Sequence, residues 1–271
     1  MNTNNNVYTV IYTTVVCVLV AAILAFASQT LKPRQDANEK AETVSQILTA
    51  AQFGEKAHWS SIGNNATLKF YTDNIADAFI VGADGAVKGQ LDKAAAEIYN
   101  VSELKAQNYN IKDEGKAAAV ALPVYKFNNG VTVVPVYGAG LWGPVWGYIA
   151  LGEDLKTVVG AYFDHESETP GLGGKIKDDP AFRGQFAGKA LDFADAEPFH
   201  IVKGGAPAGK VNAIDAITGA TMTSKGLDAA INTWLKAYAP VLSAASPKCD
   251  RCCAQQAEGD DSSQSEKSQE E

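Results

Sequence analysis

Two segments hold residues whose types and spacing could do chemistry. The first is Asp215-Ala216-Ile217-Thr218-Gly219-Ala220-Thr221-Met222-Thr223-Ser224. It places small and hydroxyl residues just ahead of Leu227, Ala230, Ile231, Trp234 and Leu235, which recur at helical spacing. The segment therefore reads as a loop entering a helix, with Thr223 or Ser224 as the N-cap. The first N–H groups of a helix lack intrahelical acceptors and carry partial positive charge, so such an entry favours a phosphate. Simple capping is the alternative these residues leave open. The second segment is His165-Glu166-Ser167-Glu168-Thr169-Pro170-Gly171-Leu172-Gly173-Gly174-Lys175. Three glycines in four residues, opened by proline, let a ligand approach the backbone closely. The spacing is not that of a dinucleotide fingerprint, and a plain glycine turn fits the composition equally well.

These segments need a frame. Residues 120–126 and 131–136 flank Phe127-Asn128-Asn129-Gly130, a hairpin signal because Asn-Gly accepts the positive φ of tight turns. Pro123 and Pro135 point to an edge strand or a bulge. Residues 145–151 and 157–163 read as a second hairpin turning at Gly152-Glu153-Asp154, so the glycine-rich segment follows a strand. Between about residues 66 and 135 the pattern is short strands with one helix. Residues 36–52 show a helical period, with Val44, Ile47, Leu48 and Ala51 on one face. That suits either a juxtamembrane helix or an ordinary amphipathic surface helix. The fold class expected is α+β: an antiparallel sheet with helices.

No charged side chain occurs before Lys32, and residues 7–28 are dominated by Val, Ile, Leu and Ala. A helix of that length spans about 33 Å, enough to cross a bilayer. The run exceeds the apolar core of a signal peptide and no Lys or Arg precedes it, which favours an uncleaved anchor over a leader ending at Ala25-Phe26-Ala27. Cys17 lies mid-run, without the small residue before it that a lipid-modified cysteine needs. Lys32, Arg34 and Lys40 follow the span, so the charge rule alone places the body in the cytoplasm.

The chain has 271 residues and a net charge of −8. Its composition is that of a globular protein, and it lacks the basic clusters of a nucleic-acid binder. The four cysteines (Cys17, Cys249, Cys252 and Cys253) avoid the central region, whose fold cannot rest on disulfides. The three histidines are far apart and form no metal-ligand pattern. The last 18 residues hold six acids, one lysine and no aromatic residue, the composition of a disordered tail. The cysteine cluster before it has no fourth ligand for zinc.

The stretch Asp215–Thr221 resembles the flavinylation motif D-x-x-(S/T)-G-A-T at every fixed position. Glu168–Gly173 resembles a second signature of the same FMN-binding domain family. Gly140-Leu141-Trp142-Gly143-Pro144-Val145-Trp146-Gly147-Tyr148 is similar to a third, which resembles the NqrC family, the C subunits of sodium-pumping (Na+-translocating) NADH:quinone oxidoreductases, rather than the Rnf-complex relatives. The three motifs occur in the family's order, and the resemblance runs from the anchor to about Leu242. The cysteine cluster and acidic tail lie outside it.

The resemblance implies an FMN-binding domain behind one transmembrane helix. Its units would be an anchor at 7–28, a juxtamembrane helix or linker at 29–54, the flavin domain at 55–245, and the cysteine cluster with acidic tail at 246–271. It implies FMN joined through its phosphate to Thr221 by a flavin transferase that uses FAD, because a threonine alcohol alone is a poor nucleophile. Asp215, Thr218, Gly219, Ala220, Met222 and Thr223 would surround that bond, with Asp215 helping the transferase recognise the loop. Glu168, Thr169, Pro170, Gly171, Leu172, Gly173 and Gly174 would lie against the isoalloxazine ring. Lys203 is a further candidate, although an ordinary surface lysine explains it as well. Trp142 and Trp146 could stack on the ring or belong to core or interface. No metal is implied. Partners would be the other subunits, the membrane and the transferase, with no nucleic acid. The resemblance places the flavin domain on the periplasmic side of the inner membrane, against the charge rule. The chain would carry electrons without its own NADH or quinone site. An Rnf-type electron carrier and a non-enzymatic anchored adaptor remain the alternatives.

Overall fold

The computed structural model describes residues 6–243; the cluster at Cys249, Cys252 and Cys253 and the acidic tail lie outside them. Helix α1 runs unbroken from Asn6 to Ala50. Its apolar stretch is wholly exposed and long enough to cross a membrane, while residues 43–50 are buried on every side. The juxtamembrane helix expected over 36–52 is thus not a separate element. Pro33 sits within α1, on a part of the helix that is exposed throughout, where solvent can satisfy the carbonyl its missing N–H leaves free. The end of the helix belongs to the body instead: Val44, Ile47, Leu48 and Ala50 join its core.

After α2 (Lys56–Ile62) and α3 (Asn64–Asn74) come β1 (Ile75–Val81), β2 (Val87–Gln90), α4 (Val101–Lys112) and a 3-10 turn at Glu114–Ala119. The region before residue 135 therefore holds more helix than its sequence pattern suggests. Strands β3 (Leu122–Phe127), β4 (Thr132–Ala139), β5 (Pro144–Leu151) and β6 (Val158–His165) complete a six-stranded sheet of order β2-β1-β3-β4-β5-β6. All its pairs are antiparallel. Gly130 takes φ +83° in the first expected hairpin, and the second forms as expected. The α5 (Lys175–Asp178) and α6 (Pro180–Gly184) turns follow, then the short parallel pair β7 (His200–Val202) and β8 (Ala213–Asp215), and finally α7 (Thr221–Leu242).

Both faces of the sheet are covered. Val134, Val136, Val145, Ile149, Leu151 and Phe163 face the core built with Leu227, Ile231, Trp234, Leu235 and Tyr238 of α7. Val133, Tyr148, Ala150 and Tyr162, alternating with them, face the core built with α1 and Tyr71. The period of two sorts each strand onto two helical layers.

The two prolines do not mark an edge, since β3 and β4 lie inside the sheet. Their pairing is confined to Tyr125↔Val133 and Lys126↔Thr132. Continuing that register would set Pro123 opposite Pro135, and neither has an N–H to donate. The strands part there, and the Tyr238 hydroxyl donates to the freed Pro123 carbonyl at 2.6 Å.

Helix α1 lies antiparallel to β6. Gln46 donates to Asp164 at 2.8 Å, while Ala50 and Gln52 press on Gly160. The C-terminal end of β6, and the loops beyond it, therefore lie at the end of the sheet from which α1 leaves toward its apolar stretch.

Candidate functional site

Three loops meet at that end of the sheet: residues 140–143 between β4 and β5, residues 166–174 after β6, and the entry to α7. A buried carboxylate joins them. Glu168 is 4% exposed. Its Oε1 accepts the Trp142 N–H at 2.9 Å and its Oε2 accepts the Thr223 hydroxyl at 2.6 Å. Burial pushes this carboxyl up, but the Thr223 hydroxyl and the N–H groups of Trp142, Leu141 and Gly143 outweigh it and hold the carboxyl below its ordinary value. The Glu168 N–H donates to His165 Nδ1 at 3.2 Å. The Ser167 hydroxyl donates to the Trp142 carbonyl at 3.0 Å. A Cβ at Gly140 or Gly173 would strike the Glu168 carboxylate, so these glycines are required for close approach rather than for backbone freedom.

Upstream, Asp164 anchors the strand that delivers the loop. It is bonded by Gln46 and paired with Lys177 at 2.8 Å. The Thr169 carbonyl accepts the N–H groups of Leu172 and Gly174 at 3.2 and 3.0 Å. This turn carries Gly171 at φ +75° and leaves Thr169, Pro170 and Leu172 exposed or at the surface. Leu172 reaches over to Gly219, whose φ is +83°. The glycine loop and the Asp215–Thr221 loop are thereby in contact.

The N-cap of α7 is Ala220, not Thr223 or Ser224, and it makes no side-chain capping bond. Both expected caps have other work: Thr223 binds Glu168, and the Ser224 hydroxyl accepts the Ile217 N–H at 3.1 Å. The first helical N–H with a carbonyl partner is that of Ser224, to Ala220 at 2.9 Å. Among the described residues, those of Thr221, Met222 and Thr223 find no acceptor at the helix entry, where the dipole is positive. Thr221 is the first residue of α7 and half-buried; Thr218 and Met222 are exposed. An uncapped helix entry beside a glycine-rich turn fits a phosphate joined to a flat ring system.

Asp215 is exposed, and its carboxylate accepts the Ala206 N–H at 2.7 Å, tying down the Gly204-Gly205 turn. Lys203 is exposed one residue past β7, beside the end of β8. Trp142 is 67% exposed and belongs to no core, whereas Trp146 is half-buried against the α7 side. Leu172 is 44% and Met222 57% exposed, so two apolar side chains stand open at the α7 entry. Among the described residues no cluster could hold a metal. The donor nest for Glu168 at Leu141–Gly143 is a feature that sequence reasoning misses. Its signal is the glycine spacing on either side of Trp142.

The fold and site define an FMN-binding domain carried on a long N-terminal helix. The family model of that description, FMN-binding domain, matches residues 140–236, which take in all three loops. The chain is 30% identical over 246 residues to the C subunit of the Na(+)-translocating NADH-quinone reductase of Pseudomonas aeruginosa, covering 86% of this chain and 93% of that protein. It is likewise 30% identical to the C subunit from Vibrio parahaemolyticus, covering 79% and 84%. The crystal structure of the C subunit from Parabacteroides distasonis superposes with a TM-score of 0.64 at 31% identity, covering 79% of this chain and 97% of that one. The chain belongs to this family, the C subunits of Na(+)-translocating NADH-quinone reductases.

Proposed function

We propose that the chain is the flavoprotein C subunit of a sodium-translocating NADH:quinone oxidoreductase, anchored by α1, with FMN bound covalently through its phosphate to Thr221. FMN binding and a place among the other subunits follow the family; the covalent bond, the transferase and the periplasmic placement are our own reading. One observation carries the choice of acceptor. Of the four hydroxyls near the entry to α7, those of Thr223 and Ser224 are buried and bonded, and Thr218 lies three residues before the helix. Thr221 alone stands at the first helical position with an uncommitted hydroxyl, where the free N–H groups of α7 would meet a bound phosphate. In the proposed transfer, the Thr221 oxygen would bond to the FMN phosphorus of FAD as the pyrophosphate bond breaks, with AMP leaving and the hydroxyl proton released.

The bound group would supply the reversible electron transfer. The protein's part is to hold it. Residues 169–174 would offer backbone groups to its polar edge, Leu172 would cover apolar surface, and the α7 entry would hold the phosphodiester charge. The periplasmic placement rests on the family resemblance, against Lys32, Arg34 and Lys40.

The test is the intact mass of the full-length chain co-expressed with a flavin transferase, beside Thr221→Ala. An added mass of FMN minus water in the wild type alone supports the reading. Its absence from wild type, with the transferase active on a control protein, removes it.

A further inference from the structure

We infer that Glu168 is the positioning residue of this site: it touches no part of the flavin but fastens the Trp142 loop and the first turn of α7 to the glycine loop, and so sets where Thr221 and the bound ring stand. The inference rests on the reading that Thr221 carries FMN.

Both carboxylate oxygens are turned inward. One is taken by the Trp142 N–H and the other by the Thr223 hydroxyl. With 4% exposure, no face of the residue is left for a ligand. Glycines at 140 and 173 close over it. Two segments far apart in sequence are thereby tied through one carboxylate to the loop that ends in Gly173-Gly174. Thr223 is two residues beyond Thr221 in the same helical turn, so fixing its hydroxyl fixes the rotation of the α7 entry about its axis. Trp142 is exposed on the outer side of the same bond, so the carboxylate also places this indole on the rim.

The charge has a second effect. Among the described residues no lysine or arginine pairs with Glu168, and its charge is held by N–H dipoles and one hydroxyl. A buried anion without a cationic partner near a flavin would oppose the added negative charge of reduction. Glu168 should therefore hold the flavin potential lower than a neutral residue of the same shape would.

The experiment uses the full-length chain co-expressed with a flavin transferase, in wild type, Glu168→Gln, Glu168→Ala, Thr223→Val and Thr223→Ser. Covalent flavin per chain is read by intact mass, the ring's surroundings by visible circular dichroism, and its midpoint potential by spectroelectrochemistry. Glu168→Ala and Thr223→Val should lose loading severalfold and alter the dichroism of what is loaded. Thr223→Ser, which keeps the hydroxyl, should recover both. Glu168→Gln should lose less loading than Glu168→Ala and move the potential positive, a shift that mere packing would not give. Wild-type loading, dichroism and potential in both Glu168 variants would overturn the inference. Where Glu168→Ala does not accumulate as folded protein, the contrast of Thr223→Val with Thr223→Ser and the potential of Glu168→Gln decide it. A wild type without covalent flavin overturns the covalent reading and this inference together. A flavin-loaded wild type with indifferent variants overturns this inference alone.

Discussion

The Thr223 hydroxyl donates to Glu168 Oε2 at 2.6 Å across 55 positions of sequence, inside the protein. This bond joins the beginning of the last helix to the loop that leaves the last strand of the large sheet. It makes the two sequence signatures one structural unit before any ligand is considered.

Glu168→Ala should destabilise the domain by about 2–4 kcal/mol, because it leaves the Trp142 N–H and Thr223 hydroxyl without their charged partner. Urea denaturation of wild type and variant at neutral pH measures the difference.

The Glu168 contribution should also depend on pH. Its folded pKa lies below its unfolded value, so the stabilisation is complete above the unfolded carboxylate range, about 4.3, and is lost as pH falls through the folded value. The stability gap between wild type and Glu168→Gln should be constant near neutrality and shrink in acid. Denaturation midpoints followed downward from pH 7 provide the check.

Gly226→Ala in α7 should be destabilising. In an exposed helix interior this change gains about 1 kcal/mol. Here the added methyl meets the Ala139 carbonyl of β4, and the helix must move off the sheet. A lower melting temperature is expected; a higher one would show that α7 can shift freely.

Tyr238→Phe should cost about 1–2 kcal/mol, since the Pro123 carbonyl then loses its buried donor. Hydrogen exchange should show the loss concentrated where β3 and β4 part.

Gln46→Leu should loosen the glycine loop from a distance. Asp164 would keep Lys177 but lose its bond to α1, at a cost of about 1–3 kcal/mol. Faster amide exchange over residues 165–174 than in wild type is the expected signature.

Much of this fold is readable from the chain. The Asn-Gly turn at 129–130 fixes its hairpin locally, and the buried stripe of α7 follows its helical period from Leu227 to Leu235. The three motifs are each visible. Their joining is not, because a contact between positions 168 and 223 leaves no periodic trace. The N-cap is misplaced for the same reason: Thr223 and Ser224 have capping chemistry, but tertiary partners claim both hydroxyls. Pro123 and Pro135 carry a true signal of interrupted pairing. Nothing local says that each faces the other in mid-sheet rather than solvent at an edge. The helical period within residues 36–52 is correct, yet one apolar face cannot show that the helix continues through Pro33 and is enclosed on all sides over residues 43–50.

That continuity makes α1 a keyed shaft. The body grips it from Asn38, which accepts a bond from Asn64 at 2.6 Å, through the Glu42–Lys56 pair at 2.5 Å to Gln46. Nothing between this grip and the apolar stretch interrupts the helix. Each residue added between Leu31 and Asn38 would turn the whole body by about 100° and lift it by about 1.5 Å. Two added residues would swing the site to nearly the opposite bearing. Seven would restore the bearing about 10 Å higher. Cross-linking from the Trp142 loop to neighbouring subunits should follow that angular sequence, so the length of an outwardly featureless stretch of helix becomes a compass setting for the flavin.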